Sequence, residues 1–277
     1  MDEKGEADMP GGAGDDARGT GLARLLTMVL IVALVALAIR TFAVSLFTIP
    51  SESMMPRLMP GDTIAAKKWP YGYSSNSLPF DLPLIPGRWF PAQPQRGDIV
   101  IFKHPVDHVD YVKRVIGLPG DEVELRGGYV VLNGQILSQS ATDDAILPVS
   151  PNTPCAWGGR EELRPAGDAA DCRYTRNREY LPSGVSYDVF DFGQTPQDNW
   201  GPRTVPEGKL FLLGDNRDNS MDSRFPALPG GGVGFVPQDL LVGQAGAVLW
   251  SNDGSANLLD PRTWFTGWRG ERMGEGL

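Results

Sequence analysis

The stretch Phe47-Thr-Ile-Pro-Ser-Glu-Ser-Met-Met-Pro56 contains two serines two positions apart and follows an apolar segment near the N-terminus. In an extended backbone the side chains of residues i and i+2 point to the same side. Ser51 and Ser53 are therefore predicted to present both hydroxyls to one place. Serine beside proline is also typical of an ordinary turn, so the choice between a turn and a reactive site depends on the rest of the chain.

An apolar run precedes this stretch and extends from Leu25 to Ile39, between Arg24 and Arg40. A spanning helix needs roughly 20 apolar residues, and a flanking arginine that reaches toward the lipid surface lengthens the usable span. The run therefore predicts a membrane anchor over residues 21–40. A cleaved secretory signal has an apolar core of similar length, but no small-residue cleavage site follows closely, which favours an uncleaved anchor. The flanking arginines lean weakly toward a cytoplasmic N-terminus.

Charge and cysteine content narrow the class of protein. Residues 1–20 carry six acidic and two basic side chains, which predicts a disordered acidic tail on the cytoplasmic side. The formal net charge of −9 argues against nucleic acid as a partner, because no basic stripe is present to neutralise phosphates. Cys155 and Cys172 are the only cysteines. Outside the cytoplasm a disulfide is their usual role, although the sequence alone does not prove the pairing.

Downstream of the anchor the chain is predicted to be mostly β, because short runs of β-branched, aromatic and apolar residues alternate with turn signals. The predicted strands are 43–49, 62–67, 98–103, 110–117, 209–213 and 241–250. Residues 129–137 are predicted to form a hairpin, because Asn133-Gly134 favours a type I′ turn between alternating strands. Residues 69–97 and 138–205 are rich in turn-forming residues and are interpreted as insertions in one domain over 41–250. Residues 251–277 are treated as a C-terminal extension.

Two kinds of base could activate a serine in this chain. His104 and His108 are the only histidines, and a Ser-His-Asp arrangement would require one of them to be aligned on a serine. A buried lysine that has lost its proton is the alternative. Of the six lysines, Lys113 alone lies inside a predicted strand, with Tyr111 and Val115 on the same face. Such a lysine is either a neutral buried base or an edge-strand residue that discourages aggregation.

A highly charged segment, Gly214-Asp-Asn-Arg-Asp-Asn-Ser-Met-Asp-Ser-Arg224, follows the apolar strand 209–213. Its aspartates and arginines can pair into a rigid polar scaffold. A calcium loop is the competing interpretation, but the EF-hand pattern requires a glycine at its sixth position and a glutamate at its twelfth. This chain has Ser220 and Pro226 at those positions, so the segment predicts no metal site.

Together these stretches resemble the bacterial type I signal peptidases, the membrane-anchored leader peptidases of the S26 family. The matching stretches are Ile49–Pro56 with Gly61-Asp62, Arg96–Phe102, Tyr111–Asp121, and Gly214–Arg224 with Gly234–Pro237 and Leu241–Gly243. Their order and spacing agree from about residue 40 to 250. The resemblance implies a mostly β fold of coiled, barrel-like antiparallel sheets. The one N-terminal transmembrane helix, predicted from the apolar run, differs from relatives with two spans. The resemblance implies no cofactor and no metal.

The resemblance also implies catalytic roles for matching residues. Ser53 would be the nucleophile and Lys113 the general base that takes its proton. The backbone N–H of Ser53 and the hydroxyl of Ser51 would form the oxyanion hole. Ser220 would hydrogen-bond the lysine amine and orient it. Asp222 and Arg224 would form a supporting salt bridge.

Further residues would complete the site. Asp215 and Arg114 would belong to the same structural shell. The residues that would border shallow pockets for small side chains, as Ala-x-Ala selection requires, are Ile49, Pro50 and Val112. Glu52 and Arg57 depart from the glycine and threonine usual in the family. Glu52 is expected to point away from the two serines by strand alternation.

The function implied is that of a single-pass cell-membrane serine endopeptidase that removes signal peptides from exported preproteins. The N-terminus would be cytoplasmic and the catalytic domain extracytoplasmic, with preproteins, membrane lipid and the export machinery as partners. Two alternatives remain open. One is a specialised peptidase for a restricted precursor set, and the other is a non-catalytic membrane-anchored protein that binds extended peptides by strand addition. Residues 138–205 lie outside the resemblance, and the sequence does not indicate their purpose.

Overall fold

The computed structural model describes residues 15–78, 85–165, 169–256, 260, 263 and 267–277. Within these residues, helix α1 (Asp15–Phe42) precedes nineteen β-strands, so the predicted mostly β class is confirmed. The strands are β1 (Val44–Thr48), β2 (Asp62–Lys67), β3 (Tyr73–Ser74), β4 (Arg88–Trp89), β5 (Ile99–Lys103), β6 (Asp110–Gly117), β7 (Glu122–Arg126), β8 (Tyr129–Leu132), β9 (Gln135–Ile136), β10 (Ser138–Ala141), β11 (Ala145–Pro148), β12 (Arg160–Leu163), β13 (Ala170–Tyr174), β14 (Arg176–Tyr180), β15 (Ser186–Phe190), β16 (Trp200–Thr204), β17 (Lys209–Leu213), β18 (Val236–Pro237) and β19 (Leu241–Ser251).

Helix α1 is long and apolar enough to cross a membrane. Its Gly21–Phe42 portion has 22 residues and a mean hydropathy of 2.7, and none of its most apolar window is buried in the protein. A helix of this length spans about 33 Å, slightly more than the ~30 Å hydrocarbon core of a bilayer. The helix begins at Asp15, earlier than the predicted start at residue 21. Residues 15–20 of the predicted disordered tail are therefore helical, and residues 1–14 lie outside the described residues.

The central sheet has seven antiparallel strands in the order β1-β2-β19-β5-β6-β17-β18. Strands β2, β6 and β17 begin and end at the residues that the sequence predicted. Register shifts interrupt the pairing of β19 with both neighbours and of β17 with β6. Such bulges bend a strand and increase its twist, and the sheet curls into a half-barrel. The predicted barrel-like architecture of coiled antiparallel sheets is therefore confirmed.

Residues 138–205 contain more regular structure than the sequence indicated. Strands β10, β14 and β15 form one three-stranded sheet, and β11, β13 and β12 form another. Strand β16 returns to pair with β7, so the insertion is continuous with the rest of the domain. Cys155 and Cys172 form a disulfide with a Cα–Cα distance of 5.3 Å. Cys172 packs with Met55 and Met59 in one buried cluster, which places the insertion directly against the serine-containing segment.

Residues 69–97 and 251–277 also contact helix α1 or the central sheet. Within residues 69–97, of which 79–84 lie outside the described residues, β3 and β4 form a hairpin. The Tyr73 hydroxyl of that hairpin donates to the Phe42 carbonyl oxygen at the end of α1, at 2.7 Å. The predicted C-terminal extension pairs with β19 at Gly276–Ala247, and its Trp268 pairs with Asn252, the residue directly after β19.

Candidate active site

Ser53 and Lys113 are in direct contact in the interior of the domain. Strand β6 carries Lys113 into the protein, where the residue is 3% exposed. Its Nζ atom donates to Ser53 Oγ at 2.7 Å and to the Val112 carbonyl oxygen at 3.0 Å. The ring centroid of Tyr111 lies 5.7 Å from Nζ, in agreement with the predicted face of β6. The structure thus joins two residues 60 positions apart that the sequence analysis singled out separately.

The environment of Lys113 favours its neutral form. Burial lowers the pKa of the amine to about 8, against the opposing influence of the Asp222 and Asp215 carboxylates, while Arg224 adds to the lowering. Burial lowers a lysine pKa because a charged amine loses its hydration in the protein interior. A lysine with a pKa near 8 is partly neutral at mildly alkaline pH. It can then accept the proton of a serine hydroxyl.

The two serines converge by a different route from the one predicted. Ser51 is extended, but Glu52–Met54 forms a single 3₁₀ turn, so strand alternation is the wrong explanation for their approach. Ser51 Oγ and Ser53 Oγ lie 3.3 Å apart. The carboxylate of Glu52 accepts a hydrogen bond from the Asn219 side chain at 2.9 Å. The turn therefore brings both hydroxyls together while directing Glu52 to the charged loop.

Buried ion pairs hold the charged loop 214–224. The sequence analysis predicted pairing among the loop's own residues, but two of the pairs described here are formed with residues outside the loop. Asp222 accepts two bonds from Arg224, each of 2.9 Å. Asp215 accepts from Arg114 of β6 at 2.7 and 2.6 Å. Arg217 pairs with a residue outside the loop, Glu179 of the insertion. No sequence pattern predicts that partner, because the two residues are 38 positions apart and occupy segments without shared periodicity.

Gly214 brings the charged loop into close contact with the segment that contains Ser53. A Cβ atom at this position would lie 2.2 Å from Ser220 Oγ and 2.5 Å from the Ser53 carbonyl oxygen. A larger residue would therefore displace Ser220 or Ser53. The Asn216 N–H donates to the same Ser53 carbonyl at 3.1 Å. Ser220 is buried, and its hydroxyl makes no hydrogen bond within the described residues. The bond expected from Ser220 to the lysine amine is not formed here, and the role of Ser220 stays a prediction.

The residues predicted to border substrate pockets differ in their burial. Ile49 and Val112 pack with Met54 in one buried apolar cluster, whereas Pro50 is exposed. Strand β6 pairs with β5 from Asp110 to Arg114, but β17 covers its opposite edge only from Arg114 onward. No other described strand pairs with this edge from Asp110 to Lys113, so a short backbone edge remains beside Ser53 and the apolar cluster, where an extended peptide could lie.

A model of the family described as signal peptidase, peptidase S26, matches residues 22–250 of this chain. The chain belongs to this signal peptidase family. It is similar to signal peptidase I of Rickettsia canadensis (strain McKiel) and of Rickettsia typhi (strain ATCC VR-144 / Wilmington). Each is 35% identical over 243 residues, which cover 81% of this chain and 82% of the relative. A crystal structure of a signal peptidase I from Enterococcus faecalis V583 is similar at 26% identity and a TM-score of 0.29, covering 55% of this chain and 97% of that chain.

Membership of the signal peptidase family makes this chain a protease that removes signal peptides from preproteins. The apolar helix α1 fits a membrane anchor in such a peptidase. The family match covers the serine segment, β6 and the charged loop, which are the three elements that meet around Lys113.

A lysine base at position 113 predicts that cleavage depends on pH through the pKa of that lysine. We expect kcat/KM to fall about tenfold per pH unit as the pH drops below about 8, because protonated Lys113 cannot accept the Ser53 proton. The measurement is kcat/KM on a preprotein across neutral and alkaline pH. His108→Asn, which changes an exposed loop histidine, serves as the control and should leave the midpoint unchanged. A wild-type midpoint near ~6.5, the value of free histidine, would contradict a lysine base.

Proposed function

We propose that this signal peptidase is a single-pass membrane serine endopeptidase whose dyad is Ser53 and Lys113. It cleaves preproteins after small residues in the pattern Ala-x-Ala. The observation that carries the proposal is the 2.7 Å contact between Ser53 Oγ and the Nζ atom of a buried lysine whose pKa is lowered to about 8. A nucleophile within hydrogen-bond distance of a base is the arrangement that covalent catalysis needs.

The proposed reaction has two stages. Neutral Lys113 takes the hydroxyl proton of Ser53 as Oγ attacks the scissile carbonyl carbon, and the Ser53 N–H and the Ser51 hydroxyl bind the oxyanion that forms. The lysine then gives the proton to the leaving amine, which departs as the peptide C–N bond breaks. A water molecule, deprotonated by the same lysine, then attacks the acyl carbon. The ester C–O bond to Ser53 breaks, and the lysine returns the proton to Ser53 Oγ. The 3.3 Å separation of the two serine hydroxyls supports the part given to Ser51.

The proposed substrate selectivity rests on shape. Ile49 and Val112 are buried in one packed cluster with Met54, the residue after Ser53. We assign to this surface the shallow pockets that accept small side chains. Pro50 borders the same place from the exposed side. A preprotein segment lying along the free edge of β6 would be held by backbone hydrogen bonds, and its alternate side chains would face the cluster. Alanine-sized residues fit such a surface, and larger ones clash with it.

The proposed topology places residues 1–20 in the cytoplasm, an anchor at 21–40 in the membrane, and the catalytic domain of residues 41–250 with the 251–277 segment outside. The Cys155–Cys172 disulfide supports this orientation, because disulfides persist in oxidising compartments. Tethering confines the catalytic serine near the membrane, where an anchored preprotein presents its cleavage site at high effective concentration. In this arrangement lipid surrounds α1, and the export machinery delivers the substrates.

The test is cleavage of a preprotein with an Ala-x-Ala site by the full-length, detergent-solubilised protein. We expect the wild type to release a mature chain that begins directly after the last alanine, as read by mass spectrometry. Ser53→Ala is expected to bind the preprotein but not to cut it. Cleavage of only a few members of a preprotein panel would favour the restricted processing peptidase. A wild type that binds without cutting would favour the non-catalytic peptide-binding protein and overturn the proposal.

A further inference from the structure

The insertion 138–205 supplies a buried carboxylate to the charged loop. Glu179 of β14 is 0% exposed and Arg217 of the loop is 3% exposed. The guanidinium of Arg217 donates to both carboxylate oxygens of Glu179, at 2.9 and 2.6 Å. A two-bond contact of this kind fixes the relative orientation of its partners as well as their separation. The pair is thus a rigid connection between the insertion and the loop.

The insertion also prepares Glu179 for this contact. Tyr187 of β15 donates to one carboxylate oxygen at 2.6 Å, and Gln139 of β10 donates to the other at 2.9 Å. Burial alone would raise the pKa of Glu179, but Arg217 and these two donors more than offset it, so the pKa lies below its ordinary value. Each strand of the β10-β14-β15 sheet therefore contributes one side chain to a single charged centre. That degree of satisfaction is what a buried ion needs in order to be tolerated.

Arg217 transmits this constraint to the catalytic serine. Its Nε atom donates to the Gly214 carbonyl oxygen at 3.2 Å, and its own carbonyl oxygen accepts from Arg224. Gly214 in turn lies against Ser53 and Ser220, and the next residue but one, Asn216, donates to the Ser53 carbonyl. Contacts therefore lead from Glu179 through Arg217 and the backbone of residues 214–216 to Ser53.

A second contact from the same sheet reaches the strand of the base. The guanidinium carbon of Arg114 lies 4.1 Å from the ring centroid of Tyr187, the same tyrosine that donates to Glu179. Arg114 is adjacent to Lys113 in β6 and is bonded to Asp215 of the loop. The β10-β14-β15 sheet thus contacts the charged loop through Glu179 and strand β6 through Tyr187.

We propose that Glu179 is a positioning residue of the Ser53–Lys113 site, acting through Arg217. This inference rests on the proposed dyad and gives the insertion a purpose in catalysis. Without the carboxylate, Arg217 keeps a buried charge with no full partner, and it draws toward other acceptors such as Asp215. The turn at Gly214 then shifts, and Ser53 is displaced from Lys113. The pocket cluster of Ile49, Met54 and Val112 contains no residue of the insertion or of the loop, so substrate binding stays nearly unchanged.

The test compares Glu179→Gln and Glu179→Asp with the wild type in full-length protein. We expect Glu179→Gln to lower kcat on an Ala-x-Ala preprotein about 10- to 100-fold, the effect of misplacing a reacting group by about 1 Å, with KM changed less than about twofold. Glu179→Asp retains the charge and is expected to recover part of the lost kcat. The matched control is Glu162→Gln. It removes a carboxylate that pairs with Arg173 on the outside of the same insertion, and it should retain wild-type kcat and KM.

The outcomes separate this inference from the proposed function. Wild-type kcat in a folded Glu179→Gln protein, or a rise in KM with kcat unchanged, overturns the positioning role and leaves the dyad intact. An unaltered rate in Ser53→Ala would instead overturn the dyad. If Glu179→Gln fails to fold by circular dichroism, the paired variant Glu179→Gln/Arg217→Gln is measured, because it leaves no uncompensated buried charge. A low kcat with unchanged KM is expected there as well, and wild-type kcat would overturn the inference.

Discussion

Lys113→Met is expected to lower kcat for preprotein cleavage by about 10⁴- to 10⁶-fold, the range seen when a serine protease loses its base. The amine of Lys113, the proposed base, is in contact with Ser53 Oγ in the described structure. Methionine has a similar length and volume but cannot take a proton. The measurement is single-turnover cleavage of a preprotein at mildly alkaline pH, with Lys67→Ala, which removes an exposed lysine, as a control that retains full activity.

The same substitution should not weaken the fold. The pKa of Lys113 is lower in the folded protein than in the unfolded chain, so protonation at this site favours unfolding. That cost is fully present below about pH 8 and disappears as the pH rises above ~10.4, the pKa of a free lysine. Near neutral pH, Lys113→Met should therefore melt at the same or a higher temperature than the wild type. Loss of activity with retained stability would assign the effect to chemistry.

Retained activity in Lys113→Met would require another base, and the histidines are the remaining candidates from the sequence. The structure engages His104 elsewhere. Its ring is buried, its Nε2 atom lies 3.1 Å from the Gly232 carbonyl oxygen, and its Nδ1 atom lies 2.9 Å from Asp107. His108 is exposed in the same loop. Neither arrangement directs an imidazole to Ser53, so the Ser-Lys interpretation is favoured by geometry as well as by sequence.

Strands with apolar or strongly alternating sequences were predicted well, because burial on one or both faces leaves a periodic pattern. Strand β6 is predicted from Asp110 to Gly117 and observed over the same residues. The Asn133-Gly134 turn was predicted from composition, and both residues have the positive φ angles, 53° and 78°, that a type I′ turn requires. Local chemistry was sufficient in these places, since the information lies within a few neighbouring residues.

The insertion could not be predicted in the same way. Strand β14, with the sequence Arg-Asn-Arg-Glu-Tyr, is charged along most of its length and shows no apolar period. The stabilisation of Glu179 depends on Arg217, which is distant in sequence, and only the folded chain brings the two together. The approach of Ser51 to Ser53 was predicted correctly in outcome and wrongly in cause, because two residues at i and i+2 can converge through a tight turn as well as through a strand.

In the part of the chain that the structure describes, three buried arginine–carboxylate pairs lie around the proposed dyad: Arg114–Asp215, Arg217–Glu179 and Arg224–Asp222. Pairs of this kind add little net stability, because the attraction mainly offsets the loss of hydration. Their geometry is nevertheless specific, since each arginine donates through two nitrogen atoms. We interpret them as a frame that holds a serine and a lysine from different segments at hydrogen-bond distance.

Ser51→Ala is expected to lower kcat by about 10²- to 10³-fold with little change in KM, the usual effect of removing one oxyanion-hole donor. The Ser51 hydroxyl lies 3.3 Å from Ser53 Oγ, where it can reach an oxyanion formed on the attacked carbonyl. The other proposed donor, the Ser53 backbone N–H, remains in this variant, so catalysis slows without being lost. Ser51→Thr keeps a hydroxyl at the same position and should recover part of the rate. The measurement is kcat and KM for one preprotein across the three proteins.

Two further variants, Ser45→Ala and Ser53→Ala, are compared with Ser51→Ala to interpret its loss of kcat. Ser45→Ala removes a hydroxyl from β1 that makes only a 3.4 Å contact with the Arg40 carbonyl oxygen, and it should retain the wild-type rate. Ser53→Ala should be far slower than Ser51→Ala, because it removes the nucleophile. Equal losses in the two alanine variants would mean that Ser51 does more than stabilise the oxyanion. A wild-type rate in Ser51→Ala would leave the Ser53 N–H to act with some other donor, and a reversed order of activities would exchange the roles of the two serines.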